Sequence, residues 1–492
     1  MISFNHPLVL KLHLLKQSKI HLQGFPASRS LFAHFCLLSN LRHSTIGYHE
    51  IVELMMYTDA IQFLYDLRWF GTKFGLDNTF KLAALAGNLH RRLRFIHVAG
   101  TNGKGSTCAM LQSIYRAAGL RVGLFTSPHL VAFGERIQVN RQPISETEIV
   151  RLVVEMQPLL KEFPAEQHPT FFEVVTVMAL RHFAAQKCDV VIWETGLGGR
   201  LDATNIVTPL ASVITNVQYD HQNWLGETLE TIASEKAGII KPEVSVVTAA
   251  EAPEALKVIE ETARKKNAPL GIVTLSQLKR PPLDGIQLPL LGQHQRLNAA
   301  VAVATVRALA SQIAVDDEAI RTGLCRCQWP GRLQLVTRPS GQRVLLDGAH
   351  NVAGAESLAT ALKQYFPEVG FTLVLGILSD KDWPGMCGIL APLSARIMLV
   401  PVPSERSATP QELGDACRRA NPAVRVAEYS SLGEAWPDTA QDEFVVIAGS
   451  LYLIGEAMEL LQLSAARPNG ERGLNEWDGT RQPAEPTLPA TR

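Results

Sequence analysis

The chain has 492 residues, too many for one hydrophobic core, so two or three domains are expected. Lysine plus arginine equals aspartate plus glutamate at 47 each, and this zero formal charge removes the electrostatic case for a nucleic acid or an anionic membrane as partner. The hydrophobic fraction of 46% is that of an ordinary soluble protein, and no apolar run reaches the roughly 18 residues that span a bilayer.

Residues 1–54 are basic and serine-containing, with no acidic residue before Glu50. That composition fits either a mitochondrial or plastid transit peptide or an extension the protein can do without. A chain begun at Met56 is expected to fold and keep its activity; an insoluble product would count against this. From residue 94 onward, short β-branched runs alternate with amphipathic stretches, the pattern of βα units and a largely parallel sheet. Strands are predicted at Phe95–Ala99 and at residues 122–126, 190–193, 212–217 and 244–248. Helices are predicted after the first strand, with Gly119 as the stop, and at 172–185, 229–236 and 298–310. After Trp329-Pro330-Gly331 the pattern restarts. Strands at 344–346, 372–375, 397–400 and 444–447 alternate with helices beginning near Ala353 and Pro410. The expected domains are therefore 55–328 and 329–465, both α/β, followed by a disordered tail over 466–492 that is rich in Pro, Gly and charge. Seven scattered cysteines without a C-x-x-C pair indicate neither a zinc site nor a disulfide framework, and fit a reducing, cytoplasmic setting.

Between the first strand and its helix lies Gly100-Thr101-Asn102-Gly103-Lys104-Gly105-Ser106-Thr107. Glycines let backbone N–H groups close on phosphate oxygens, and a helix N-terminus adds partial positive charge. Lys104 adds a full charge, and Ser106 or Thr107 offers a hydroxyl to Mg²⁺. The loop departs from the common G-x-x-x-x-G-K-[ST] spacing, with Val98 in place of the first glycine and Gly105 after the lysine. A plain connecting turn would have little use for a lysine between two glycines. Other polar groups also follow strands: Thr126-Ser127-Pro128-His129, Glu194, and Asp220-His221. In a parallel sheet, strand carboxyl ends share the ligand-binding edge, so these segments should converge on the loop.

Several strings resemble folylpolyglutamate/dihydrofolate synthases: GTNGKGST at 100–107, TSPHL at 126–130, ERI at 135–137, ETGLGGRLDATN at 194–205 and DHQNWLG at 220–226. EKAGIIKP at 235–242, LDGAHN at 346–351 and GILSDKDW at 376–383 continue the series in the same order. The resemblance spans roughly residues 57–461. It implies the two-domain fold of the Mur ligase superfamily: a P-loop ATPase domain with a largely parallel sheet, then a smaller Rossmann-like domain. The implied reaction joins L-glutamate to a folate or dihydropteroate carboxylate through an acyl phosphate, consuming ATP. Another Mur-type ligase, acting on a cell-wall or polyamide substrate, is the alternative.

The resemblance also implies roles. Lys104 and the loop amides hold the β- and γ-phosphates; Ser106 and Glu194 ligand a first Mg²⁺; His221 ligands a second, with Lys236 carried as a carbamate. For Lys236 the plain alternative is a helix-end lysine facing the macrodipole. Asn298 faces adenine, Asp347 the ribose and His350 the phosphates, with Arg332 neutralising charge at the domain junction. The pterin-bearing substrate lies along Ser127, Pro128 and His129 and near Phe172. Ser450 is a candidate for the incoming glutamate, although a helix N-cap explains it equally well. Val352, and Gln222-Asn223 after the histidine, depart from the usual strings. Small molecules are the only partners implied, and a monomer is expected.

Overall fold

The computed structural model describes residues 55–71, 75–367, 369–464 and 471–475. The leader expected over residues 1–54 and the end of the expected tail, from residue 476, lie outside the described residues.

The first sheet has the order β4-β3-β2-β5-β1-β6-β7-β8. Its strands are β1 (Phe95–Ala99), β2 (Val122–Phe125), β3 (Ile137–Val139), β4 (Gln142–Pro143), β5 (Val190–Glu194), β6 (Ala211–Ile214), β7 (Ser245–Thr248) and β8 (Leu270–Ile272). β1 is central, paired in parallel with β5 and β6, and all five of its residues are buried. Such total burial follows from helices on both faces, which a near-continuous apolar strand requires. On one face Lys104–Ala117 and Gln293–Ala308 supply buried residues such as Met110, Leu111 and Val303. On the other, Leu229–Ala237 and Pro253–Lys265 supply Ile232, Ala233 and Ile259. Only the pairs of β3 with β2 and with β4, at one edge, are antiparallel.

The second sheet has the order β13-β12-β11-β14-β10-β9, with β9 (Gln334–Thr337), β10 (Arg343–Asp347), β11 (Thr372–Leu375), β12 (Arg396–Leu399), β13 (Arg425–Glu428) and β14 (Phe444–Ala448). It is parallel except for the β9–β10 pair. Among the described residues no helix is long and apolar enough to cross a membrane.

Two expectations need correction. The helix expected at 298–310 runs Gln293–Ala308, so Asn298 lies more than a turn inside it rather than opening it. The disorder expected across 466–492 does not hold for Glu471–Asn475, which form a 3-10 helix with Glu471 and Leu474 buried.

Candidate active site

Four strands of the first sheet deliver their carboxyl ends to one edge, as parallel order requires. β1 leads into the glycine loop, and Thr101 N–H donates to the Asn216 carbonyl beyond β6. At Gly100 the backbone has φ 150°, and a Cβ there would lie 1.9 Å from the Thr215 hydroxyl. A Cβ at Gly105 would lie 2.8 Å from the Trp329 ring, so the glycine after the lysine is there for close approach of the indole. The helix then begins at Lys104, and the Lys104 ammonium donates to the Gly100 and Thr101 carbonyls at 3.0 and 3.2 Å.

Beside this loop is a cleft of about 120 Å³ lined by Lys104, Ser106, Glu194, His221, Lys236, Arg332 and His350. Sequence-predicted residues from both sheets thus meet. Glu194, the last residue of β5, is almost fully buried, and its carboxylate accepts the Ser127 N–H at 3.2 Å. Burial pushes its carboxyl up to about 7, against the pull of Lys104. Lys236 is also buried, without a hydrogen bond or ion pair from its ammonium among the described residues. Burial, aided by Lys104, brings the Lys236 amine down to about 7. A buried acid and a buried amine, both poised to be neutral, mark a site built for groups that arrive with charge.

Magnesium takes oxygen ligands and keeps waters, and the donor set fits it. The Glu194 carboxylate and the Ser106 hydroxyl border the loop that would carry phosphate oxygens. No group of three His, Cys, Asp or Glu side chains that could hold a metal occurs among the described residues, so the ligand's oxygens would complete the shell. Thr107 is not part of it: its hydroxyl is buried in the helix without a partner.

The two sheets meet across Asp220. Lys381 donates to it at 2.6 Å, Asn351 at 2.9 Å, and His350 stands 3.7 Å away. Burial opposes ionisation of Asp220, but His221, Lys381 and His350 around it hold its carboxyl well below the usual range. Burial and Lys381 bring His221 down to about 3, and burial brings His350 down to about 4, so Lys381 is the fixed cation. The Lys381 ammonium also donates to His221 Nε2 at 3.3 Å, which leaves the ring proton on Nδ1. Neither Lys381 nor Asn351 had a role assigned from sequence, although both lie in strings that carried the resemblance.

Lys381→Ala is expected to cost on the order of 3 kcal/mol in urea unfolding at neutral pH, because a buried carboxylate loses its cation. Asp220 is depressed in the folded state, so this contribution is present above its unfolded value near 4. It should fade as the pH falls below about 4. A cost below about 0.5 kcal/mol at pH 7 would contradict the pairing.

Other predicted positions sit differently. Asn102 turns from the cleft and bonds Asn216, Gln218 and Asn351, tying the loop to the second sheet. Asn298 is buried against Gln295, close behind Gly103. Asp347 does not line the cleft: its oxygens accept the Leu333 and Ala349 N–H groups at 2.8 and 3.0 Å. Ser450 caps the helix Leu451–Leu460 by accepting the Tyr452 N–H, the alternative already open for it.

Adjoining the cleft is a larger cavity of about 460 Å³ that shares Ser127, Pro128, His221 and His350 with it. Phe171, Phe172, Leu201 and Trp224 line it, with Arg68, Arg136, Arg200, Lys381 and Arg406 as cations and Ser450 at its wall. His129 does not reach it. The ring is buried behind Arg136, whose Nε donates to His129 Nδ1 at 2.8 Å. Arg136 is one of several cavity residues, with Leu201, Trp224 and Lys381, that lie in the resembling strings without a role implied for them.

Comparison with known proteins agrees with this geometry. The Mur ligase middle domain matches residues 98–306, and the Mur ligase glutamate ligase domain matches 331–451. The Bacillus subtilis dihydrofolate synthase/folylpolyglutamate synthase is 39% identical over 428 residues, covering 82% of this chain and 99% of its own. The Lacticaseibacillus casei folylpolyglutamate synthase is 33% identical, covering 83% and 99%. Escherichia coli FolC in complex with DHPP and ADP superposes with a TM-score of 0.74 at 32% identity, covering 83% of this chain and 98% of that one. The chain belongs to the folylpolyglutamate/dihydrofolate synthase family of Mur ligases.

Proposed function

We propose that this protein joins L-glutamate to the carboxylate of a folate or a dihydropteroate, using ATP and passing through an acyl phosphate. One observation carries the reading: a charged, glycine-walled cleft of about 120 Å³ opens directly onto an aromatic-lined cavity of about 460 Å³. The first suits a triphosphate and the second a pterin with its aromatic acid, so the carboxylate meets the γ-phosphorus where they join.

A carboxylate is a poor electrophile because its leaving group would be oxide. Its oxygen therefore attacks the γ-phosphorus; that O–P bond forms, the bond to the β-phosphate oxygen breaks, and ADP leaves. Charge spreads over the transferring group, and Lys104, Arg332 and the loop amides offset it. The glutamate amine then adds to the acyl carbon, the C–O bond to phosphate breaks, and the amine gives up a proton. Ser106 and Glu194 would hold one Mg²⁺, and a carbamylated Lys236 would hold a second together with His221 once its Nε2 is released from Lys381; bound there, the metal would supply further positive charge at the phosphates. Arg332 and His350 from the second domain close over the cleft and exclude water from the acyl phosphate, while Lys381 holds that side through Asp220. Two domains meeting near residue 329, a monomer and a cytoplasmic setting complete the reading. Its support is that this one chain lines both cavities.

The test measures ADP formation with ATP, Mg²⁺ and glutamate, offering dihydropteroate or tetrahydrofolate as the acid. Turnover should require both acid and amine. ATP hydrolysis that ignores both would overturn the assignment.

A further inference from the structure

Glu471–Asn475 lie outside both matched family domains, yet they are bonded into the wall of the larger cavity. The Glu471 carboxylate is buried and accepts the Phe133 N–H at 2.7 Å. Its carbonyl lies 3.0 Å from His129 Nε2. Because His129 Nδ1 accepts from Arg136, the ring proton is on Nε2 and is donated to that carbonyl. Asn475 closes the ring of contacts. Its amide donates to the His129 carbonyl at 2.9 Å, and its oxygen accepts from Arg136 Nη2 at 2.5 Å. Arg472 pairs with Glu459 at 2.9 Å, and Leu474 and Asn475 line the cavity themselves.

The arginine held in this way is unusual. Arg136 is buried and packs its guanidinium 5.4 Å from the centre of the Phe171 ring. Among the described residues it has no carboxylate within ion-pair distance, and Glu135 and Glu194 offset its charge only from further away. A buried cation without a counter-ion is costly unless a ligand supplies one. Its hydrogen bonds to His129 and Asn475 fix the plane in which the guanidinium meets whatever enters.

We propose that Glu471–Asn475 is a built-in wall of the acid-substrate cavity, and that Asn475 is a positioning residue orienting Arg136 toward an acceptor group, carboxylate or carbonyl, on the folate-type acid. This rests on the ligase reading. Loss of Asn475 frees one side of the guanidinium without touching the phosphate cleft, so binding of the acid should suffer while binding of ATP does not.

Steady-state kinetics on the full chain test it. Asn475→Ala should raise KM for the acid on the order of tenfold, with KM for ATP within about twofold. Asn475→Asp should raise it further, because a carboxylate would satisfy Arg136 from within the protein and compete with the ligand. A merely structural role gives no such ordering. A chain ended after Ser464 should match or exceed the alanine variant; if it fails to fold, the point variants decide. The inference is overturned if both point variants keep the parental acid KM, or if KM for ATP rises by the same factor. Absence of acid-dependent ADP formation in the unsubstituted chain would instead remove the ligase reading itself.

Discussion

Lys104→Ala and Glu194→Ala should each lower ligation by about 10²–10³-fold while leaving the fold intact. Lys104 brings the only full charge in the glycine loop, and a helix start with two neighbouring glycines gives the transferring phosphoryl group no substitute for it. Glu194 ends a fully buried central strand, and burial holds its carboxyl near 7. Without a bound metal ion it is therefore largely protonated at slightly acid pH, even with Lys104 and Arg332 nearby. Activity through Glu194 should fall as pH drops from about 8 to 6, and added Mg²⁺ should offset the fall by competing with the proton. Near-parental turnover in either folded variant, by ADP release, would remove the assigned roles.

Lys236→Ala should be nearly as damaging, about 10²-fold or more, with nucleotide binding largely retained. An ammonium repels Mg²⁺, whereas addition of CO₂ to the neutral amine gives a carbamate that can bind it. Burial favours this, since the amine is neutral above about pH 7. The unfolded lysine keeps its proton up to about pH 10.4. The lowered value in the fold is thus a stability penalty, complete below about 7 and fading as pH rises toward 10.4. Conversion to a carbamate removes the ammonium responsible. Formate or acetate should restore part of the rate to Lys236→Ala by occupying the vacated position. Carbon-13-labelled CO₂ should give a carbamate resonance that the alanine variant lacks. An alanine variant of parental rate, with no such resonance in the unsubstituted protein, would contradict the carbamate.

Much of this site was legible because its residues follow strands. Lys104, Glu194 and His221 each stand where an apolar run ends, and parallel order brings such positions to one edge. What stayed hidden depends on contacts distant in sequence. Asp347 ends a strand as Glu194 does, yet it lies outside the cleft, each of its oxygens accepting a backbone N–H, from Leu333 and Ala349. Local pattern cannot distinguish the two. His129 sits in a string that reads as substrate-binding, but its ring turns inward because Arg136 and the Glu471 carbonyl claim both nitrogens. The edge strands β4 and β13 escaped notice because Gln142–Pro143 is too short and Arg425–Glu428 too polar to form an apolar run. Glu471–Asn475 carries three polar residues, a glycine and one leucine, which reads as tail. Its order comes from partners more than 300 residues away.

The most direct test of the acyl phosphate is to follow oxygen. With the acid's carboxylate enriched in oxygen-18, ATP, Mg²⁺ and glutamate, one labelled oxygen should bond to the γ-phosphorus and leave with it when the amine displaces phosphate. Mass spectrometry of the released phosphate should find one oxygen-18 atom per amide formed. Phosphate free of label, with the amide formed at the same rate, would mean that the carboxylate never carried the phosphoryl group.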